Sequence, residues 1–262
     1  MDDLSTAFRI AVVLLFAFLL APLVVVLLTS FSNDEFLAFP PHHWGLGGYR
    51  ALVGNAAFRA GLGTSLVLAA TVTAISLVCG AGAAYALARF SFPGSGFLLA
   101  IFTAPLLLPA IILGLGLLLV FARLGLLATM PGLVIGHSLV TLPYAIRINL
   151  TAIRGIAPAL EEAAATLGAG PVRVFFRVTL PLMLPGIVAA AALAFLASFD
   201  EVVISLFLVG PRLTTLPIEI FHYIEYRADP QVSALSVALI LLTALLVVIV
   251  ERSLGVLRAL AR

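Results

Sequence analysis

Residues 161–181 read EEAAATLGAGPVRVFFRVTLP, a polar, arginine-bearing interruption in an otherwise apolar chain. Its local chemistry specifies a short helix. Pro158 suits a first helical position, where its missing N–H leaves no bond unmade. Glu161 and Glu162 follow near the helix start, where the peptide dipoles favour anions. Leu160, Ala163, Ala164 and Leu167 recur at i, i+3, i+4 and i+7, which puts an apolar stripe on one face. Gly168 and Gly170 are expected to stop the helix through a left-handed cap. The product is an amphipathic helix with a small-residue face, a shape suited to another protein's groove.

Outside this segment the chain is built for a bilayer. Hydrophobic residues make up 63% of it, charged residues 10%, and its mean hydropathy is +1.24. A soluble domain has no use for that much apolar surface, so the composition reads as a polytopic membrane protein. All 14 basic residues are Arg, and the absence of Lys excludes a Walker A loop. The chain therefore does not hydrolyse ATP by the P-loop route. Cys79 is alone, and His42, His43, His137 and His222 show no ligand spacing beyond the adjacent pair, which reads as a solvated loop. No catalytic or metal-binding set is expected. The net charge of +2 is spread over the loops, and no basic run suggests nucleic acid.

A helix needs about 20 apolar residues to cross a bilayer. Six stretches qualify, about 10–29, 62–88, 96–121, 132–152, 182–208 and 233–251, and the first is expected to be a retained span rather than a signal peptide. The expected fold is thus all-α, a polytopic bundle of six transmembrane helices. It is read as a single domain over 1–262, with a core of about 60–252 and a cytoplasmic loop of about 154–181. With a cytoplasmic N-terminus, that side receives nine Arg (Arg258 and Arg262 among them) against five outside, the bias the positive-inside rule requires. Both termini are then cytoplasmic. The outer stretches 30–60 and 209–232 carry Trp44, Tyr49, Phe221, Tyr223 and Tyr226, candidates for interface anchors or for contact with an extracytoplasmic protein. Gly80, Gly82, Ala83, Ala84, Gly114 and Gly116 are expected at close helix contacts, and Pro105, Pro109 and Pro143 at kinks.

Asp200-Glu201 lies inside an apolar stretch from Leu182 to Val209, whose 28 residues would span about 42 Å as one helix. A hydrocarbon core of about 30 Å requires that helix to start outside the membrane, tilt, or break near the acids. Carboxylates at such depth face a cavity or a partner. The candidate pathway residues are Asp200 and Glu201, with Phe199 beside them and Tyr223 in the second outer stretch; an interhelical ion pair with an Arg, or a pair at the helix end in water, is the structural alternative.

The segment Glu162-Ala163-Ala164, three residues, Gly168, nine residues, Val178-Thr179-Leu180-Pro181 resembles the EAA loop of ABC-importer permeases, with Val178 where the family pattern has Ile. These are the binding-protein-dependent, MetI-like transport permeases. The strings at 80–94, 106–118, 137–148, 198–210 and 215–236 look most like the spermidine/putrescine branch, and parts of them are shared with permeases for iron, sulfate or molybdate. The resemblance implies a type I importer permease fold in the bacterial inner membrane. It implies a non-enzymatic subunit that binds no cofactor, with ATP–Mg held by separate cytoplasmic ATPases. It also implies a second, homologous permease subunit and an extracytoplasmic substrate-binding protein. On this resemblance Glu161, Glu162, Ala163, Ala164, Leu167 and Gly168 would meet the ATPase, Arg173 and Arg177 would either meet it or serve as positive-inside anchors, and Leu180-Pro181 would re-enter the membrane. Polyamine is the implied cargo, with ferric iron, a sulfate-type anion, or an ion-coupled secondary transporter as alternatives.

Overall fold

The computed structural model describes residues 6–227 and 229–260. Arg262 and the side chain of Arg258, both counted in the charge bias, lie outside that description. The chain is 80% helical, and among the described residues the extended contacts are two isolated bridges, Ser32 with Trp44 and Gly210 with Leu213. Among the described residues, five helical segments are long and apolar enough to span a membrane: Phe8–Ser30, Ala56–Arg89, Met130–Arg154, Pro171–Phe199 and Pro230–Ser253.

The sixth expected span is not straight. Helix α4 (Ser95–Thr103) runs through a tight turn at Ala104–Leu107 and meets α5 (Ala110–Leu124) at a bend of 102°. The cause is local. Pro109 disfavours the helical conformation in the residue before it, and Leu108 sits at φ −86° and ψ 138°. Pro143, also expected to kink its helix, lies inside α6 (Met130–Arg154), which runs unbroken.

The chain packs as two compact units. One comprises the chain up to Arg59 with Ile220–Ala244, and so holds α1 (Thr6–Ser30), α2 (Gly47–Gly54), most of α11 (Leu216–Tyr226) and the start of α12 (Pro230–Leu260). Thr29 donates to Ser233 at 2.9 Å, and Ser30 and Tyr49 share a hydrogen bond of 2.8 Å. Tyr49 is therefore an inward structural residue rather than an interface anchor, while Trp44 is 58% exposed. The loop after α1 closes on two side chains. Asn33 accepts from the Gly47 N–H, and Asp34 accepts from the backbone N–H groups of His42 and His43. The Asp34 carboxylate also accepts from Ser32 and lies 2.8 Å from the His43 ring nitrogen. These bonds, the His42 N–H first, lower its pKa from 3.8 to about 2.

The second unit, Ala60–Glu219 with the chain from Leu245, contains most of α3 (Ala56–Arg89). Two clusters form its core. Leu68, Val72, Phe121, Leu133, Ile204 and Leu208 make one; Ala84, Leu150, Ile153, Ile156 and Met183 make the other. Helix α6 contributes to both and packs closely on α9 (Leu180–Phe199). The approach of α3 to α6 needs glycine: a Cβ on Gly80 would lie 2.8 Å from the Ala145 methyl and 3.1 Å from its backbone carbon. Gly114 is likewise filled, by Phe207, whereas Gly82 and Gly116 face open space and are not contact residues in this chain.

Because the Asp34 pKa is lowered on folding, its contribution to loop stability is present above the unfolded value near 3.8 and is lost as pH falls toward 2. Exchange protection of the His42 and His43 amides should accordingly hold at about pH 5 and collapse between about pH 4 and 2. Asp34→Asn should remove most of that protection at every pH; retained protection would mean that the carboxylate does not organise the loop.

Candidate functional site

The polar interruption forms helix α7 (Pro158–Thr166), with Pro158 at its first position and Ala157 extended before it. It ends as the glycine requires. Gly168 sits at φ +86°, its N–H bonds the Ala165 carbonyl at 2.9 Å, and the Ala169 N–H bonds that of Ala164 at 3.1 Å. These paired bonds make a Schellman cap. Gly170 takes no part in it: at φ −67° and ψ 160° it is extended and precedes α8 (Pro171–Val174).

From Pro171 the helix continues to Phe199 through a π turn at Phe175–Thr179. Pro181 explains the turn, since it offers no N–H to the Arg177 carbonyl and its ring crowds that carbonyl. The ladder widens instead, and the Leu180 N–H bonds Phe175 O, five residues back.

No residue of α7 is buried. Leu160 is 49% and Leu167 88% exposed, and Glu162, Ala163, Gly168, Arg173 and Arg177 are exposed as well, with Ala164 half-buried. Gly168, Val172, Arg173, Phe176 and Arg177 line an open hollow of about 490 Å³. The sequence motif has therefore produced a surface of apolar side chains and arginines without an intramolecular cover. Pro181 is exposed and Leu180 half-buried where α9 begins.

Glu161 behaves differently from its neighbour. One carboxylate oxygen accepts from Arg89 Nε at 2.9 Å and the other from the Thr179 hydroxyl at 2.8 Å. Arg89 also donates to the Ile156 carbonyl, in the turn before α7, at 3.2 Å. Neither Arg89 nor Thr179 stood out in the sequence, because partners 72 and 18 residues away leave no local pattern.

The acidic pair marks a break. Helix α9 ends at Phe199, Asp200 lies at φ −95° and ψ 7°, and α10 (Val203–Leu208) starts beyond Glu201. Asp200 is exposed; Glu201 is half-buried and accepts the Ile204 N–H at 2.9 Å, capping α10. Among the described residues of this chain neither acid has an ion-pair partner. Behind the break, the buried His137 of α6 lies 3.0 Å from the Ser198 hydroxyl and 2.9 Å from that of Ser205, so one ring holds both flanking helices. Phe199 stacks on Phe195. Tyr223 belongs to the other unit: its hydroxyl is taken by Asp229 and Gln231, and its ring rests 5.1 Å from that of Phe58.

Residues 76–261 match the family described as binding-protein-dependent transport system inner membrane component. The chain belongs to this family. It is the permease subunit of an ABC importer, and its relatives are bacterial inner-membrane permeases. The putrescine transport system permease protein PotI of Escherichia coli (strain K12) is 34% identical over 236 residues, covering 87% of this chain and 84% of that protein. The spermidine/putrescine transport system permease protein PotC of the same strain is 27% identical, covering 89% and 88%. The molybdenum transport system permease protein ModB of Mycobacterium bovis is 35% identical, covering 85% and 91%. In fold the permease is similar to a chain of a bacterial ABC transporter that imports the polysaccharide alginate, with a TM-score of 0.72 at 18% identity over 96% of this chain and 99% of that one.

The Gly168 cap makes a graded prediction. A Cβ there meets no neighbour, so substitution costs only the left-handed strain of about 1–2 kcal/mol. Exchange protection of the Ala169 amide should fall in the order Gly, Asn, Ala, Val at position 168. A Val variant with wild-type protection would show that the cap does not depend on the left-handed residue.

Proposed function

We propose that this permease subunit forms part of the pathway of a polyamine importer, with Asp200 and Glu201 facing the cationic cargo and Phe199 beside them. The observation that carries the reading is the pair of acids, without ion-pair partners among the described residues, at the break between α9 and α10. Charged groups within a span normally line a hydrated route. A carboxylate pair there attracts ammonium groups and repels anions, which favours a polyamine over the oxyanion class suggested by the molybdenum permease relative. The putrescine and spermidine permeases among the relatives support the same choice.

The exposed surface of Glu162, Ala163, Ala164, Leu167, Gly168 and Arg173 would seat in a groove of a cytoplasmic ATPase, which holds the ATP–Mg that this Lys-free chain cannot bind through a P-loop. A homologous second permease and an extracytoplasmic binding protein would complete the machine. Both termini are then cytoplasmic.

Uptake of radiolabelled putrescine, spermidine and molybdate, in cells lacking the gene and in cells with it restored, tests the assignment. Chain-dependent polyamine uptake, competed by unlabelled polyamine, is the expected result; chain-dependent molybdate uptake alone would replace it with the oxyanion reading. Asp200→Asn and Glu201→Gln should each lower polyamine uptake by at least about tenfold, roughly 1.4 kcal/mol of lost cation stabilisation, while the ATPase still co-purifies. Normal uptake in both variants would remove the acids from the pathway.

A further inference from the structure

Helix α7 has no fully buried side chain, and of its apolar residues Ala164 alone is half-buried, so burial of apolar surface contributes little to fixing it to the rest of its unit. One carboxylate does. Glu161 gives one oxygen to Arg89, the last residue of α3, and the other to Thr179, the last residue of the π turn that leads into α9. Arg89 adds a bond to the Ile156 carbonyl, so both the entrance and the first turn of α7 are held. The Arg89 and Glu161 side chains are 13% and 15% exposed, and Thr179 is fully buried, which shields these charge-assisted bonds from screening. The same two elements meet again one turn away. Tyr85 of α3 packs edge-on against Phe175 of the π turn, with ring centroids 5.0 Å apart.

We propose that the Arg89–Glu161–Thr179 clasp makes α7 move as one body with α3 and α9, and so carries a load on the exposed coupling surface to the acidic break. Arg89, Glu161 and Thr179 are positioning residues in this scheme, and Glu161 is not an ATPase contact. The route is short and stiff. Thr179 enters α9, whose far end is Phe199, and the 21 residues to Asp200 span about 32 Å of helix. Without the clasp, a push on α7 would be absorbed in the turns at Ile156–Ala157 and Gly168–Gly170. The proposal rests on the importer reading above for the source of the load.

The test uses the complete complex in liposomes and reads putrescine taken up per ATP hydrolysed, with co-purified ATPase as the measure of assembly. Arg89→Ala and Glu161→Ala should each lower the ratio at least about fivefold, and the double variant should fall no further, because either change opens the same clasp. Glu161→Gln, which keeps a hydrogen bond to each partner, should retain an intermediate ratio. Losses that multiply in the double variant overturn the proposal, as does an unchanged ratio accompanied by proportional falls in assembly, hydrolysis and uptake. A second measurement is independent of the cargo. In a Cys79→Ser background, nitroxide labels at Thr166 on α7 and Leu66 on α3 should give one narrow distance, the same with and without ATP. Glu161→Ala should broaden that distance or make it depend on ATP; a distribution as narrow as that of the intact clasp overturns the proposal. A wild-type complex that hydrolyses ATP but accumulates no putrescine defeats the substrate reading, and the distance measurement then decides the clasp alone.

Discussion

Inside a bilayer no water is available to a freed backbone N–H or C=O, so every departure from helix must be satisfied within the protein. This constraint explains where the permease bends and what stands at each bend. At Leu108–Pro109 the helix ends in a tight turn, and the Pro109 carbonyl immediately accepts from Ile112 and Leu113. Just ahead of the membrane-facing part of the Pro171–Phe199 helix, at Phe175–Thr179, the ladder likewise survives Pro181 by widening to a five-residue bond. At Asp200–Glu201 the Asp200 N–H still reaches Leu196, and the Glu201 side chain takes up the Ile204 N–H on the far side. Acidic residues in an apolar span thus serve the backbone as well as any cargo. The division is visible within the pair, with Glu201 engaged as a cap and Asp200 exposed.

The same scarcity of water shapes how the helices of the second unit hold together. Apolar burial drives helix pairing weakly when lipid is as apolar as leucine, so close approach and polar bonds take over. Gly80 against Ala145 and Gly186 against Ala152 bring backbones together where a Cβ would collide. Ser76 bonds Thr141 across α3 and α6 at 2.8 Å, and Thr141 returns to the His137 carbonyl at 3.0 Å. His137 then reaches both sides of the acidic break. A polar line therefore runs from α3 through α6 to the break, and each of its hydroxyls has a partner.

How much of this could be read from the chain depends on the range of the cause. Composition and apolar length gave the all-α membrane bundle, because a span is a property of about 20 consecutive residues. Pro158 and Gly168 set the ends of α7 because helix capping acts over three or four residues. Pro109 by itself predicts only a kink; the 102° bend depends on Leu108 leaving the helical region for the extended one, which the dipeptide permits but does not require. Composition does not distinguish Gly170 from Gly168, yet one left-handed residue completes the cap. Partnerships across 72, 61 and 68 residues, Arg89 with Glu161 and His137 with two serines, carry no local signature at all. Tyr49 and Tyr223 looked like surface aromatics for the same reason, and the folded chain gives their hydroxyls to Ser30 and to Asp229 with Gln231.

The two adjacent glutamates of α7 show how position alone divides labour. They have the same chemistry and neighbouring places in the first turns, so helix dipole arguments treat them alike. About 100° of helical rotation separates their side chains, and the surroundings do the rest. Glu161 faces the ends of α3 and α9, where an arginine and a buried hydroxyl consume both its oxygens. Glu162 faces away and stays exposed. An exposed carboxylate on a helix without buried residues contributes little to the fold, so its value lies with whatever covers that face. An inward carboxylate cannot serve a partner without releasing Arg89. The motif position Glu162 and the structural position Glu161 are for that reason not interchangeable, even though substituting either would remove the same charge.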